Sequence, residues 1–261
     1  MPTRSLFPAC VMLFGFAATT AAQRDVAYVN RAKVDDALAK GGVLFERPQL
    51  QVAGGHRDKP GALDTQKNAT TIIFVTDGGG LFAAGAQTHV LTKGDLLVVP
   101  AGTPRSFRSV SPSISYYLVT VPVIAKDAKA EIVYVGHASV APTLKKAATL
   151  ADGPNLRVSG GFRNGPYVPA DNRPTVEVHA NEGDLFYVIE GRSTQVLGGT
   201  VIDGKETGPG QIRGSKIEGG QSYQLGKGDV MWVPAGMIYV AAGLTVMITW
   251  LRAVERQAAE L

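Results

Sequence analysis

The chain has only four imidazoles, at His56, His89, His137 and His179. His179 follows Glu177 by two residues, and on a strand that spacing turns both side chains to one face. Asp184 follows at the start of the next apolar run. A nitrogen and carboxylate oxygens are hard donors, suited to Mn²⁺, Fe, Mg²⁺ or Zn²⁺ more than to an ion that prefers thiolate. The other three histidines are scattered. His56 follows Gly54-Gly55 and reads as loop packing, while His89 and His137 read as surface or helix-capping residues. Four dispersed histidines exclude a three-imidazole centre within one folded unit. Other chemistries lack their residues. No Gly-x-Gly-x-x-Gly precedes a helix, and there is no phosphate loop ending in Gly-Lys-Ser/Thr. No Gly-x-Ser-x-Gly elbow occurs either.

The strands and helices that carry these donors belong to a pattern written twice in the chain. Tyr28-Val29, Leu38, Pro48, Val52 and Gly54-Gly55 recur at one constant offset as Tyr134-Val135, Leu144, Pro154, Val158 and Gly160-Gly161. Gly94 to Gly102 (GDLLVVPAG) recurs as Gly228 to Gly236 (GDVMWVPAG). A repeat of this size predicts two similar folded units. Each should open with a short helix. The first is capped by Asn30, carries Val34, Ala37 and Leu38 on its apolar stripe and ends at Gly41-Gly42; the second is capped by Ser139 and runs to about Ala148. Short β-like runs follow, among them Thr71–Val75, Leu96–Val99 and Ser115–Val119, then Leu185–Ile189, Val230–Val233 and Leu244–Trp250. Gly78-Gly79-Gly80 reads as a turn. Residues 192–227 form a glycine-rich insertion in the second copy, readable as an ordered hairpin or a mobile lid.

Arg4, the apolar stretch from Leu6 to Ala18 and the small residues Thr20-Ala21-Ala22 have the layout of a secretory signal peptide. Cleavage after residue 22 would remove the single cysteine, Cys10, and leave 25 basic against 22 acidic side chains, a net of +3. Such a chain has no disulfide and no thiolate, which fits a periplasmic or secreted location. No membrane attachment is expected after cleavage. The basic residues are scattered and form no nucleic-acid footprint. The expected organisation is 1–22 leader, 23–122 first unit, 123–131 linker and 132–261 second unit.

Phe186–Gly191 (FYVIEG) and Gly228–Gly236 resemble parts of the two signature motifs of the cupin superfamily, and Phe74–Gly78 with Gly94–Gly102 repeat them. The resemblance covers nearly all of the mature chain. It implies an all-β protein of two tandem cupin-type jelly-roll barrels, each preceded by a short helix and packed together as an internal pseudo-dimer. Homo-oligomers are compatible with it. The family's metal site carries over to Glu177, His179, Asp184 and Tyr239, of which only His179 keeps the family's residue type. Tyr239 is then a fourth ligand or a proton donor. The matching positions of the first copy are Asp64, Gln66, Thr71 and Arg105. Arg105 brings a positive charge where an ion would sit, so no metal is expected there and a salt bridge is.

Two function classes remain open. One is an exported enzyme using Mn, Fe or Zn on a small sugar-like, aromatic or keto compound, within a superfamily that includes isomerases, decarboxylases and dioxygenases. The other is a metal-free binding or structural protein, with Tyr187 and Trp232 in contact with the ligand.

Overall fold

The computed structural model describes residues 26–123, 130–146, 148–153, 156–163, 176–242, 245–249 and 253–254. For 162–163, 238–242, 245–249 and 253–254 it describes the backbone alone. The proposed leader, Cys10 and most of the 123–131 linker lie outside the described residues.

The elements of the first repeat are β1 (Ala27–Val29), α1 (Arg31–Lys40), β2 (Gly42–Arg47), β3 (Leu50–Arg57), β4 (Gly61–Leu63), β5 (Ala69–Ala84), β6 (Gln87–Thr92), β7 (Leu96–Val99) and β8 (Arg105–Pro122). The second begins with β9 (Val133–Val135), α2 (His137–Lys146), β10 (Thr149–Asp152), β11 (Arg157–Arg163), β12 (Val176–His179) and β13 (Glu182–Leu197). Its insertion forms β14 (Thr200–Ile202), β15 (Lys205–Gly208), β16 (Gln211–Gly214) and β17 (Lys216–Glu218). The last strands are β18 (Gln221–Gly226), β19 (Val230–Val233), β20 (Ile238–Ala242), β21 (Thr245–Thr249) and β22 (Ala253–Val254). The fold is all-β, as the apolar runs and turn residues predict.

One sheet follows the order β2-β3-β8-β5-β7-β9, with β4 on β8 and β6 on β5. The other runs β10-β11-β21-β13-β20-β12-β16-β15, with β18, β19 and β22 on β13 and β1 on β19. The repeats therefore exchange their leading strands. β1 pairs with β19 through Val29↔Val230, Tyr28↔Met231 and Ala27↔Trp232. β9 pairs with β7 through Val135↔Leu96, Tyr134↔Leu97 and Val133↔Val98. These are the same three pairs in repeat-equivalent positions.

The helix starts are exchanged in the same way. Asp229 Oδ1 accepts from the Arg31 N–H at 2.7 Å, and Asp95 Oδ1 accepts from the His137 N–H at 2.6 Å. The Tyr28 and Tyr134 hydroxyls donate to the second oxygens of these carboxylates at 3.0 and 3.1 Å. Asn30 caps α1 locally by accepting from Lys33 N–H. α2 begins at His137, two residues before the expected Ser139, because its cap comes from Asp95 of the other repeat. Gly94 and Gly228 permit these approaches. Both have φ near +90°, and a Cβ would lie 3.0 Å from His137 Cβ and 2.9 Å from Arg31 Cγ.

The long strands depart from the expected short ones. Gly78 and Gly80 are not in a turn but in bends inside the sixteen-residue β5. A Cβ on Gly78 (φ +70°) would lie 1.9 Å from Ser113 O, and one on Gly80 would lie 2.4 Å from Ser109 O. Glycine here lets one strand cross the barrel without breaking, and Gly191 (φ +87°) does the same inside β13. The insertion is ordered: β14 pairs with β17, and β15 pairs with β16.

Strand alternation sorts the core into three main regions and one small cluster of Val176, Val178 and Val201. One lies between the repeats and joins Val52, Ile72, Phe74, Leu96, Tyr117, Val140, Leu185, Val230 and Trp232. A second fills the first barrel with Ile73, Phe82, Leu97, Phe107, Ile114 and Tyr116. The third lines the second barrel with Phe186, Val188, Leu197, Leu225, Met231, Val233 and Met237.

Candidate functional site

On β12, Val176 and Val178 face a small cluster with Val201, Ile212 and Ile217. Alternation therefore turns Glu177 and His179 to the opposite face. On β13, Asp184 alternates in step with Phe186 and Val188, the lining of the second barrel. His179 and Asp184 are both buried, each 4% exposed. The structure brings all three together. His179 Nε2 lies 3.5 Å from Glu177 Oε2 and 3.8 Å from Asp184 Oδ2, while Nδ1 lies 3.8 Å from Glu182 Oε2. Three carboxylates thus surround one imidazole, two on its Nε2 side and one on its Nδ1 side.

Tyr239 is opposite Glu177 in the β12–β20 register and opposite Leu197 in the β13–β20 register. Its backbone is on the row that carries the cluster; its side chain lies outside the described residues.

The sequence reading missed Glu182 and two residues supplied by the insertion. Because β16 pairs with β12, Arg213 stands opposite Glu177 and Gln211 opposite His179. The Arg213 guanidinium forms an ion pair with Glu177 Oε1, and Gln211 Nε2 donates to Glu182 Oε2 at 3.5 Å. Burial raises the Glu177 pKa, but the hydrogen bond from His179 and the positive charge of Arg213 outweigh it and hold the carboxyl down at about 2. Glu177 is ionised throughout the physiological range. The available signal for Arg213 was the charged, glycine-punctuated insertion, whose sequence does not say which strand it joins.

Tyr187 and Trp232 are not at this cluster. Both alternate onto the face opposite Asp184 and pack in the core between the repeats. Tyr187 meets Tyr117 at a 4.5 Å ring separation, and Trp232 is fully buried. A Cβ on Gly183 would lie 2.2 Å from Trp232 Cη2, so that glycine makes room for the indole. The apolar run Val230-Met-Trp-Val is buried on both faces, and neither face is marked in the sequence as the ligand side.

The first repeat holds a different set. Arg105 is buried and donates from Nε and Nη2 to the carbonyl oxygen of Asp64, at 2.9 and 2.6 Å. The expected salt bridge is instead a pair of hydrogen bonds to backbone. Thr71 is fully buried. The remaining histidines behave as surface groups: His56 bonds Ser115 Oγ at 2.9 Å, His89 stacks on Tyr134, and His137 bonds Asp95.

The donor set fits a hard divalent cation by its chemistry, with one imidazole and two ionisable acids converging on its Nε2 side. Ligands about 2.0–2.2 Å from one ion lie roughly 3.0–3.6 Å apart. The His179–Glu177 spacing is already in that range, and His179–Asp184 would close by a few tenths of an ångström. Among the described residues no group of three His, Cys, Asp or Glu side chains has the geometry to hold a metal ion as it stands.

A family model described as the AraC-like ligand binding domain matches residues 56–150, about a third of the chain. No characterised protein sequence matches significantly. A salicylate 1,2-dioxygenase from Pseudaminobacter salicylatoxidans is similar in structure with a TM-score of 0.60 at 12% identity, over 87% of this chain and 84% of that one. Protein Ylba of E. coli is similar with a TM-score of 0.58 at 14% identity, over 90% and 93%. The salicylate 1,2-dioxygenase in its adduct with gentisate gives a TM-score of 0.59 at 10% identity, over 87% and 81%. At these identities the likeness is one of fold, and the fold is of the cupin type.

Proposed function

We propose that the barrel of the second repeat is a small-molecule site organised around a divalent metal, Mn, Fe or Zn, held by His179 with Glu177 and Asp184. The observation that carries this reading is the buried imidazole with two carboxylates on its Nε2 side. A bound ion would supply a Lewis acid for an oxygen of a sugar-like, aromatic or keto compound. Glu182 lies 3.8 Å from Nδ1, on the side of the ring away from the other two acids. Arg213 keeps one oxygen of Glu177 occupied and the group ionised. Tyr239 stands in the row from which a fourth donor or a proton could come.

A metal-free binding site is the second reading, and one observation favours it: Arg213 already neutralises Glu177. Metal analysis of untagged protein decides between them. The proposal predicts about one ion per chain, lost in the Glu177→Ala/His179→Ala double variant. Wild-type protein that stays metal-free after supplementation with Mn, Fe and Zn would leave the second reading.

Residues 1–22 form an export leader to a periplasmic or secreted location. The two repeats, 23–122 and 132–261, form an internal pair of barrels joined at 123–131, a reading supported by their reciprocal strand pairing.

A further inference from the structure

A cleft of about 770 Å³ opens on the first repeat between β1, α1 and β2, and it shares no residue with the acid–imidazole cluster. That volume suits a small organic molecule. The cleft is open to solvent: Lys33 is exposed, and Val43 is 59% exposed. An apolar side chain left in water on a cleft wall gains when a ligand covers it.

The two elements set out the cleft from end to end. The chain turns back at Gly41 (φ +78°), so β2 returns along α1. Lys33 lies about 12 Å from Gly41 at the helical rise. Arg47 lies about 17 Å from Gly42 at the strand rise. Both cations therefore stand at one end of the cleft, and Val43 stands at the other, beside the reversal. The Arg47 guanidinium lies 5.9 Å from the centre of the Phe45 ring, so the cationic end runs directly into an apolar wall. Asp36, the acid of the lining, is ion-paired with Lys40, which leaves the charge of this end to Lys33 and Arg47.

The second repeat is an internal control. At the constant offset of the repeat, Ser139, Thr149, Ala151 and Gly153 stand where the first copy has Lys33, Val43, Phe45 and Arg47. There β9 and β10, the equivalents of β1 and β2, approach each other. The fold thus requires neither the two cations nor the two larger apolar side chains.

We propose that this cleft binds an amphipathic carboxylate, its acid group held by Lys33 and Arg47 and its apolar tail running past Phe45 to Val43. The site is separate from the barrel of the second repeat and does not depend on the metal reading.

The test titrates the mature chain by NMR with decanoate, kept below its micelle-forming concentration, beside decanol and acetate. Decanol has the tail without the charge, and acetate has the charge without the tail. Decanoate should bind about tenfold more tightly than either and shift the resonances of β1, α1 and β2. Lys33→Glu, on the exposed face of α1, should weaken decanoate about tenfold and leave decanol unchanged. Val43→Asn should weaken both. The Glu177→Ala/His179→Ala double variant should bind decanoate as wild type does, which separates this site from the barrel. Equal binding of decanoate and decanol, a preference that survives Lys33→Glu, or shifts confined to the second barrel would overturn the proposal. So would a wild-type dimer that takes up no decanoate and that Val43→Asn splits, since the cleft would then be a contact between copies.

Discussion

Trp232 and Tyr187 are aromatic residues a few positions from the site, yet the strand's two-residue period puts them on its other face. They hold the repeats together, so truncation should cost stability and spare the site. Trp232→Ala should destabilise the protein by about 3–5 kcal/mol, read by urea denaturation, with metal content per folded chain unchanged. A loss of metal without a loss of stability would return Trp232 to the site. The same period made Glu177 and His179 legible as a pair, because two residues on one strand share a face whatever surrounds them. Asp184 followed from the family resemblance. Glu182 was not legible, since it reaches the far nitrogen of His179 around a turn whose shape the sequence does not specify.

The elements depend on one another through Asp95 and Asp229. Each carboxylate caps the helix of the opposite repeat and accepts a tyrosine hydroxyl, so each joins a turn, a helix and an exchanged strand. Burial pushes the Asp95 carboxyl up, but bonds from Thr92, His137 and Tyr134 bring it below its ordinary value. A depressed folded pKa means stabilisation that is fully present above the ordinary aspartate value near pH ~4 and is lost as pH falls below it. Asp95→Asn should lower stability at pH 7 by about 1–3 kcal/mol, and the gap to wild type should shrink below pH ~4 as the wild-type carboxylate is protonated. Denaturant titrations across pH read this directly, and a gap constant with pH would refute the ionised clasp. The helices themselves were legible from Asn30, Val34 and Gly41. The start of α2 was not, because its cap lies in sequence forty-two residues earlier and no local pattern announces a cap from another repeat.

At the scale of the molecule, the repeats are complete only together. Residues 130–261 alone would lose β1 from the edge of β19 and uncover the apolar face that carries Val230, Leu185 and Trp232. Residues 23–129 alone would lose β9 from β7 and uncover Leu96 and Val98. Each fragment expressed alone should aggregate, because exposed sheet edges beside apolar faces recruit other strands. Co-expressed, the two should elute as one species of the intact chain's size by size-exclusion chromatography. Two soluble, monomeric fragments would contradict the interdependence. The repeat itself was plain from Tyr28-Val29 and its copy; the exchange of strands was not, since the same residues would serve equally well at the edge of their own repeat's sheet.

Whether Glu177, His179 and Asp184 share one ion is read by anomalous diffraction from Mn²⁺-loaded crystals, recorded at the manganese edge. A single peak is expected on the Nε2 side of His179, within about 2.0–2.3 Å of an oxygen from each acid. No peak there, or a peak elsewhere on the protein with Arg213 still closed on Glu177, would refute the shared ion.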